Sequence, residues 1–205
     1  MRVIFLGLAL SVLSAFPAFA ATFERCSKAE IAYATDAIEG ASNIVLRAAA
    51  LVADNPEYQQ WFGNYTKENG EIVRSTLKAI DRALQSDELK AVCPNTGDDG
   101  CDLDVFANVW PDTPYVVNLC PSFFRMPSML GVVRTSYAFD TGTREGTIIH
   151  EVSHFTIVGG TKDECYGREV CTDMALSEAD RVVHNADSFQ YFAEDINFAY
   201  PMPVE

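Results

Sequence analysis

The segment Gly146-Thr147-Ile148-Ile149-His150-Glu151-Val152-Ser153-His154 carries the pattern H-E-x-x-H. On a helix, residues four apart share a face, so both imidazoles can bind one Zn2+ while Glu151 lies beside the water that the metal activates. Ile148, Ile149, Val152 and Phe155 give that helix an apolar side. The chain has three histidines, and two of them fall in this motif. A catalytic zinc needs a third protein ligand and an open position. The longer pattern H-E-x-x-H-x-x-G-x-x-H is absent, because Ile157 and Gly160 stand where its glycine and last histidine would be. Three residues are open for the third place. Asp163 follows Gly159-Gly160, a pair that permits a sharp reversal after the helix. Glu178 would arrive from a later helix, and His184 is the remaining histidine. Spacing alone does not choose.

The elements that must position these residues are legible in outline. Residues 143–158 read as the motif helix, broken by Gly159-Gly160. Upstream, residues 28–53 carry apolar positions at helical spacing, with Ser27 as cap and Glu30 completing a capping box. A short helix is predicted from Glu57 to Phe62 after Pro56. An amphipathic helix follows over residues 70–86, with Ile72, Val73, Leu77, Ile80 and Leu84 on one face. Residues 91–124 change character, with Pro, Gly and Asp clusters between β-prone runs. The runs 105–110 and 115–119 read as a hairpin whose turn is Pro111-Asp112-Thr113-Pro114. Two more helices are predicted at about 173–184 and 186–195. There is no internal repeat, low-complexity run or linker. The class is α+β, mostly helical with one small antiparallel sheet or hairpin.

Met1–Ala20 has one early positive charge, a long apolar run and the small-x-small ending Ala18-Phe19-Ala20, which reads as a secretory signal peptide. Residues 21–205 then form one domain. The chain has 15 Lys and Arg against 29 Asp and Glu, a net charge of −14. That balance argues against a nucleic-acid partner and permits attraction of cationic substrates. No later stretch is apolar for long enough to span a bilayer. A secreted or periplasmic monomer, free of the membrane after signal cleavage, is expected. The six cysteines, Cys26, Cys93, Cys101, Cys120, Cys165 and Cys171, are even in number, which in an exported chain points to three disulfides. Spacing does not pair them. None forms C-x-x-C, which argues against a thiolate zinc site or a redox motif.

Gly160-Thr161-Lys162-Asp163-Glu164-Cys165-Tyr166-Gly167 matches the signature G-T-x-D-x-x-Y-G that follows H-E-x-x-H in the aspzincins, the deuterolysin and peptidyl-Lys metalloendopeptidase proteins. The segment from Asn185 to Glu194 resembles the peptidyl-Lys branch. Clear similarity covers about residues 146–196; the first half resembles the family only in helix content and cysteine placement. The resemblance implies a zincin-like, disulfide-stapled fold, with Asp163 as third ligand and Tyr166 as a transition-state residue. It suggests the pairs Cys26–Cys93 and Cys101–Cys120, leaving Cys165–Cys171 as an addition local to the site. It also implies that Asp187 binds the lysine that follows the scissile bond. Where related sequences commonly carry a glutamate, this chain has Gln190, so a looser lysine preference is expected. Asp187→Asn is expected to erase that preference and spare zinc binding.

The reaction implied is peptide hydrolysis, with zinc polarising the carbonyl, Glu151 as general base and Tyr166 on the oxyanion. Thr161 can serve as a hydrogen-bond donor that holds a ligand. Cys26 and the first helix follow the cleavage pattern almost at once, so no pro-region is expected, although relatives are commonly made with one. Two other readings stay open: a zinc endopeptidase of broader, deuterolysin-like specificity, and a secreted non-catalytic binding or toxin-like module.

Overall fold

The computed structural model describes residues 21–132, 134 and 136–200. The signal segment Met1–Ala20 lies outside the described residues. The first long helix, α1 (Lys28–Ala50), begins as its sequence requires. The Ser27 hydroxyl accepts from the Glu30 N–H, and the Glu30 carboxylate accepts from the Ser27 N–H. Its buried stripe of Ala34, Ala37, Ile38, Ala41, Ile44, Val45 and Ala48 is narrow in side-chain volume, which lets neighbouring helices approach closely.

Helix α2 (Pro56–Phe62) is capped by Asn55 and has proline at its first position. Helix α3 (Lys67–Leu84) is capped by Thr66 and buries Val73, Leu77, Ile80 and Leu84 against α1. Four short strands follow the pattern β1 (Thr22–Glu24), β2 (Lys90–Val92), β3 (Ala107–Val109) and β4 (Val116–Leu119). They form one sheet in the order β1-β2-β4-β3. The expected hairpin is present as the antiparallel β3/β4 pair. Strands β1 and β2 extend it in parallel, so the sheet is mixed rather than antiparallel. At three residues each, those two strands are too short to show alternation in the sequence.

Helices α4 (Tyr137–Thr141) and α5 (Arg144–His154) lead into the site. The helix predicted over residues 143–158 stops at His154, because Phe155 turns to ψ 127° and drives its ring into the core. Beyond the site come α6 (Arg168–Ser177), α7 (Ala179–Val182) and α8 (Ala186–Ala199). The single helix predicted at 173–184 is two, broken at Glu178 by its non-helical backbone. Helices α5 and α8 pack on each other and on α1, and both are buried almost all round. An aromatic cluster of Tyr58, Phe62, Phe189 and Phe192 ties α2 to α8.

Disulfides join Cys26 to Cys93, Cys101 to Cys120 and Cys165 to Cys171. The first links the chain just past β1 to the chain just past β2, and the second anchors the loop before β3 to the end of β4. Among the described residues no helix is long and apolar enough to cross a membrane.

Candidate metal centre and active site

Helix α5 presents His150, Glu151 and His154 from its last two turns. Each imidazole is fixed by a hydrogen bond from Nδ1, which frees Nε2. His150 Nδ1 donates to Asp187 Oδ1 at 2.7 Å. His154 Nδ1 donates to the Thr161 carbonyl at 2.9 Å. Such outer partners set ring orientation and tautomer in metal sites. The Thr161 carbonyl is thus the nearer partner of His154, with the Thr161 hydroxyl 3.3 Å from the same nitrogen. The hydroxyl meets Ser153 Oγ at 2.6 Å and ties the turn back onto α5.

The chain reverses immediately after α5. The N–H groups of Val158, Gly159 and Gly160 all donate to the Phe155 carbonyl. Gly160 has φ +55°, and a Cβ on Gly159 would sit 2.9 Å from the Ser153 carbonyl oxygen, so both glycines are needed for so tight a return. The following residues are pinned to the start of α8. Lys162 N–H donates to the His184 carbonyl at 2.9 Å, and Ala186 N–H donates to the Lys162 carbonyl at 3.0 Å. Asn185, fully buried, accepts from the N–H groups of Glu164 and Cys165. Asp163 lies between these fastenings. The Cys165–Cys171 disulfide closes the loop that carries Tyr166.

The result is a triangle of donor atoms. His150 Nε2 and His154 Nε2 are 3.1 Å apart, and Asp163 Oδ1 is 3.2 Å from the first and 3.3 Å from the second. With bonds of about 2.0–2.1 Å, donors around a tetrahedral zinc are separated by about 3.3–3.4 Å. Two imidazoles and a carboxylate at this spacing thus suit zinc in both chemistry and size. Among the described residues no other group of His, Cys, Asp or Glu gathers in this way. Glu178 is exposed and paired with Arg181, which also pairs with Glu164. His184 is exposed, and its backbone carbonyl receives Lys162.

Glu151 is buried beside the triangle and has no hydrogen-bond partner among the described residues. Burial raises its pKa, against the pull of His150 and His154. The Tyr166 ring stacks on that of His150 with centroids 6.2 Å apart. Burial and the neighbouring Asp163 raise the phenol's pKa, so it remains a proton donor at any ordinary pH.

These groups open onto a cleft of about 640 Å3. One set of lining residues, Asp104 to Val109, belongs to β3 and its approach. Another comprises Thr141, Thr147, Gly167, Asp187, Gln190 and Tyr191. Asp187 and Gln190 therefore both reach the cleft. Asp187 does more than the sequence disclosed, because its Oδ2 also accepts from the Gly167 N–H at 2.6 Å. It clamps His150 to the Tyr166 loop. On this geometry Asp187→Asn would also alter the group that holds His150. Asn185, Ser153 and the second role of Asp187 were not apparent from residue spacing. The only trace of them was the compact Asn185-Ala186-Asp187 run.

Comparison with known proteins agrees with this picture. Residues 47–194 match the aspzincin family model, described as lysine-specific metallo-endopeptidase. An extracellular protease of Aeromonas hydrophila is 33% identical over 89% of this chain and 49% of its own length. A peptidyl-Lys metalloendopeptidase of Grifola frondosa is 28% identical over 91% of this chain and 51% of its own. That of Pleurotus ostreatus is 31% identical over 85% of this chain and 97% of its own. The chain thus spans about half the length of the first two relatives and nearly all of the third. The solved structure of the zinc peptidase from Grifola frondosa superposes with a TM-score of 0.70 at 28% identity, covering 85% of this chain and 99% of that one. With both motifs, the fold and the matched length in agreement, the chain belongs to the aspzincin family.

Proposed function

We propose that this chain is a secreted zinc endopeptidase that cuts on the amino side of lysine, with tolerance for other residues. The observation that carries the reading is the convergence of His150 Nε2, His154 Nε2 and Asp163 Oδ1 beside the buried Glu151. His150, His154 and Asp163 would hold the zinc. Zinc, when bound, supplies Lewis acidity that polarises a peptide carbonyl and makes water a nucleophile at neutral pH. Glu151 takes the proton of the attacking water on its carboxylate and passes it to the leaving amine. Tyr166 donates its phenolic hydrogen to the developing oxyanion. The role of Asp187 and Gln190 is to receive the lysine side chain. Each Asp187 oxygen carries one hydrogen bond and keeps a lone pair for an ammonium. Gln190 offers an amide oxygen but no charge, which favours a preference over a strict requirement.

Family membership and the names of the fungal relatives support the lysine reading. The name of the bacterial relative supports export. Residues 21–205 act as one domain and a monomer in this proposal. The test is to map the peptides released from a denatured protein mixture while measuring zinc by mass spectrometry. Cuts enriched before lysine, with about one zinc per chain, are expected. Hydrolysis without that enrichment would reduce the reading to a broad-specificity endopeptidase. Zinc binding without hydrolysis would point to a binding module instead.

A further inference from the structure

Arg168 follows the Tyr166-Gly167 pair directly, begins α6 and turns its side chain inward, leaving 11% of it exposed. Its N–H groups are nearly all spoken for. Nε donates to the Phe139 carbonyl at 3.0 Å, one terminal nitrogen to both oxygens of Asp195 at 2.8 and 3.0 Å, and the other to Glu194 Oε2 at 3.0 Å. The guanidinium lies over three rings: Phe139 at 3.6 Å, Tyr191 at 4.4 Å and Trp61 at 5.3 Å. Its two acids are anchored in turn. Trp61 Nε1 donates to Asp195 at 2.9 Å. Thr143, the cap of α5, donates both its N–H and its hydroxyl to Glu194 Oε1 at 2.9 Å. A Cβ on Gly146 would collide with that same oxygen, so α5 begins with glycine where α8 must come close.

Arg168 does not line the cleft, yet it fastens three stretches that do. Gly167 is its chain neighbour. Thr141 lies two residues beyond the carbonyl that Arg168 holds. Gln190 and Tyr191 stand on α8 one turn before its two acids, and Tyr191 stacks against the guanidinium. Through Glu194 and Thr143 the same cluster reaches the start of the helix that carries His150 and Glu151. We propose that Arg168 is a positioning residue for the lysine-receiving end of the cleft, holding the walls of that pocket and the Tyr166 loop in register with α5. A lysine cannot replace it, because only the planar fork meets a carbonyl and two carboxylates at once while stacking on aromatic rings.

This inference rests on the peptidase reading, and its test separates the two. The zinc-loaded full chain is assayed on two quenched peptides that differ only in lysine or alanine after the scissile bond. Arg168→Gln and Arg168→Lys are both expected to lower the lysine-to-alanine ratio of kcat/KM by about tenfold, with KM for the lysine peptide raised and zinc content unchanged. A purely structural role would reduce both substrates equally and leave the ratio untouched, which would overturn the proposal. Removing one member of a buried charged cluster can prevent folding, whereas neutralising the whole cluster is far better tolerated. The triple variant Arg168→Gln, Glu194→Gln, Asp195→Asn covers that case; it should show the same lowered ratio, and a parental ratio there would overturn the proposal. A parent chain that cleaves neither peptide would bring down the peptidase reading itself.

Discussion

The helix pair α1/α3 and the helix pair α5/α8 are built on opposite terms. Along α1 and α3 the buried positions are mostly apolar, and of the polar ones, Ser42, Asn69, Thr76 and Asp81, the central pair Ser42 and Asp81 satisfy each other at 2.7 Å. Along α5 and α8 the buried positions include Glu145, His150, Glu151, Ser153, Asp187, Gln190, Glu194 and Asp195. Burying a polar group costs free energy unless it is paired. The first pair thus supplies stability by excluding water, and the second uses that stability to keep reactive groups dry and aligned. Glu151 is the extreme case, since it is buried and has no hydrogen-bond partner among the described residues.

That division can be broken from either side. The largest effect is expected from Glu151→Gln, which should lower kcat by roughly 10²- to 10⁴-fold while melting temperature and zinc content stay near those of the parent. Retention of near-normal turnover would remove the base from the mechanism. Leu77→Ala, in the apolar half, should do the reverse. It should cost about 2–5 kcal/mol of stability in denaturant titration, with kcat/KM per folded molecule unchanged. Asp187→Asn crosses the divide: loss of the clamp on His150 should weaken zinc binding about 10–100-fold, measured by competition with a chelating dye. Replacing Cys165 and Cys171 together by serine should remove about 2 kcal/mol or less and lower kcat more than it raises KM, since the loop bearing Tyr166 loses a closure. Equal stability and turnover in that variant would mean the loop is held by Asn185 and Asp187 alone.

The smallest effect concerns pH. Burial pushes the Glu194 carboxyl up to about 7, although Arg168 and Thr143 pull the other way. The unfolded value is about 4.3. Between the two the folded chain holds the extra proton, so this group's contribution to stability is full below about 4.3 and falls as pH rises to about 7. Glu194→Gln should remove that slope from melting curves taken across the window, and an unchanged slope would place its origin elsewhere.

The contrast also explains what the sequence could disclose. The stripes of α1 and α3 were visible because an apolar face repeats with the helix, and Ser27 marks the start of α1 by residue type. The site motif was visible because metal chemistry demands fixed residue types at fixed spacing. The parallel strands were not, since Thr22–Glu24 and Lys90–Val92 depend on partners far along the chain. Nor was the cluster of Arg168, Glu194 and Asp195, because a charged residue on a helix gives no sign in sequence of facing inward. Asp187 was read as a lysine-binding residue alone, and its contacts with His150 and the Gly167 N–H went unseen, because residue type does not reveal which of its oxygens is already taken.

The placement of the three donor atoms has a consequence for the order of assembly. All of them come from the stretch between His150 and Asp163, so gathering them closes a loop of only about a dozen residues, and the entropy lost on closing a loop grows slowly but steadily with its length. A helical turn and the reversal after it can meet a metal ion before distant parts of the chain have found one another. Asn185 and Asp187 lie at the start of α8, so their contacts with His150 and the Asp163 loop need that helix in place. Metal affinity should then depend on the docking of the last helix as well as on the three donors themselves.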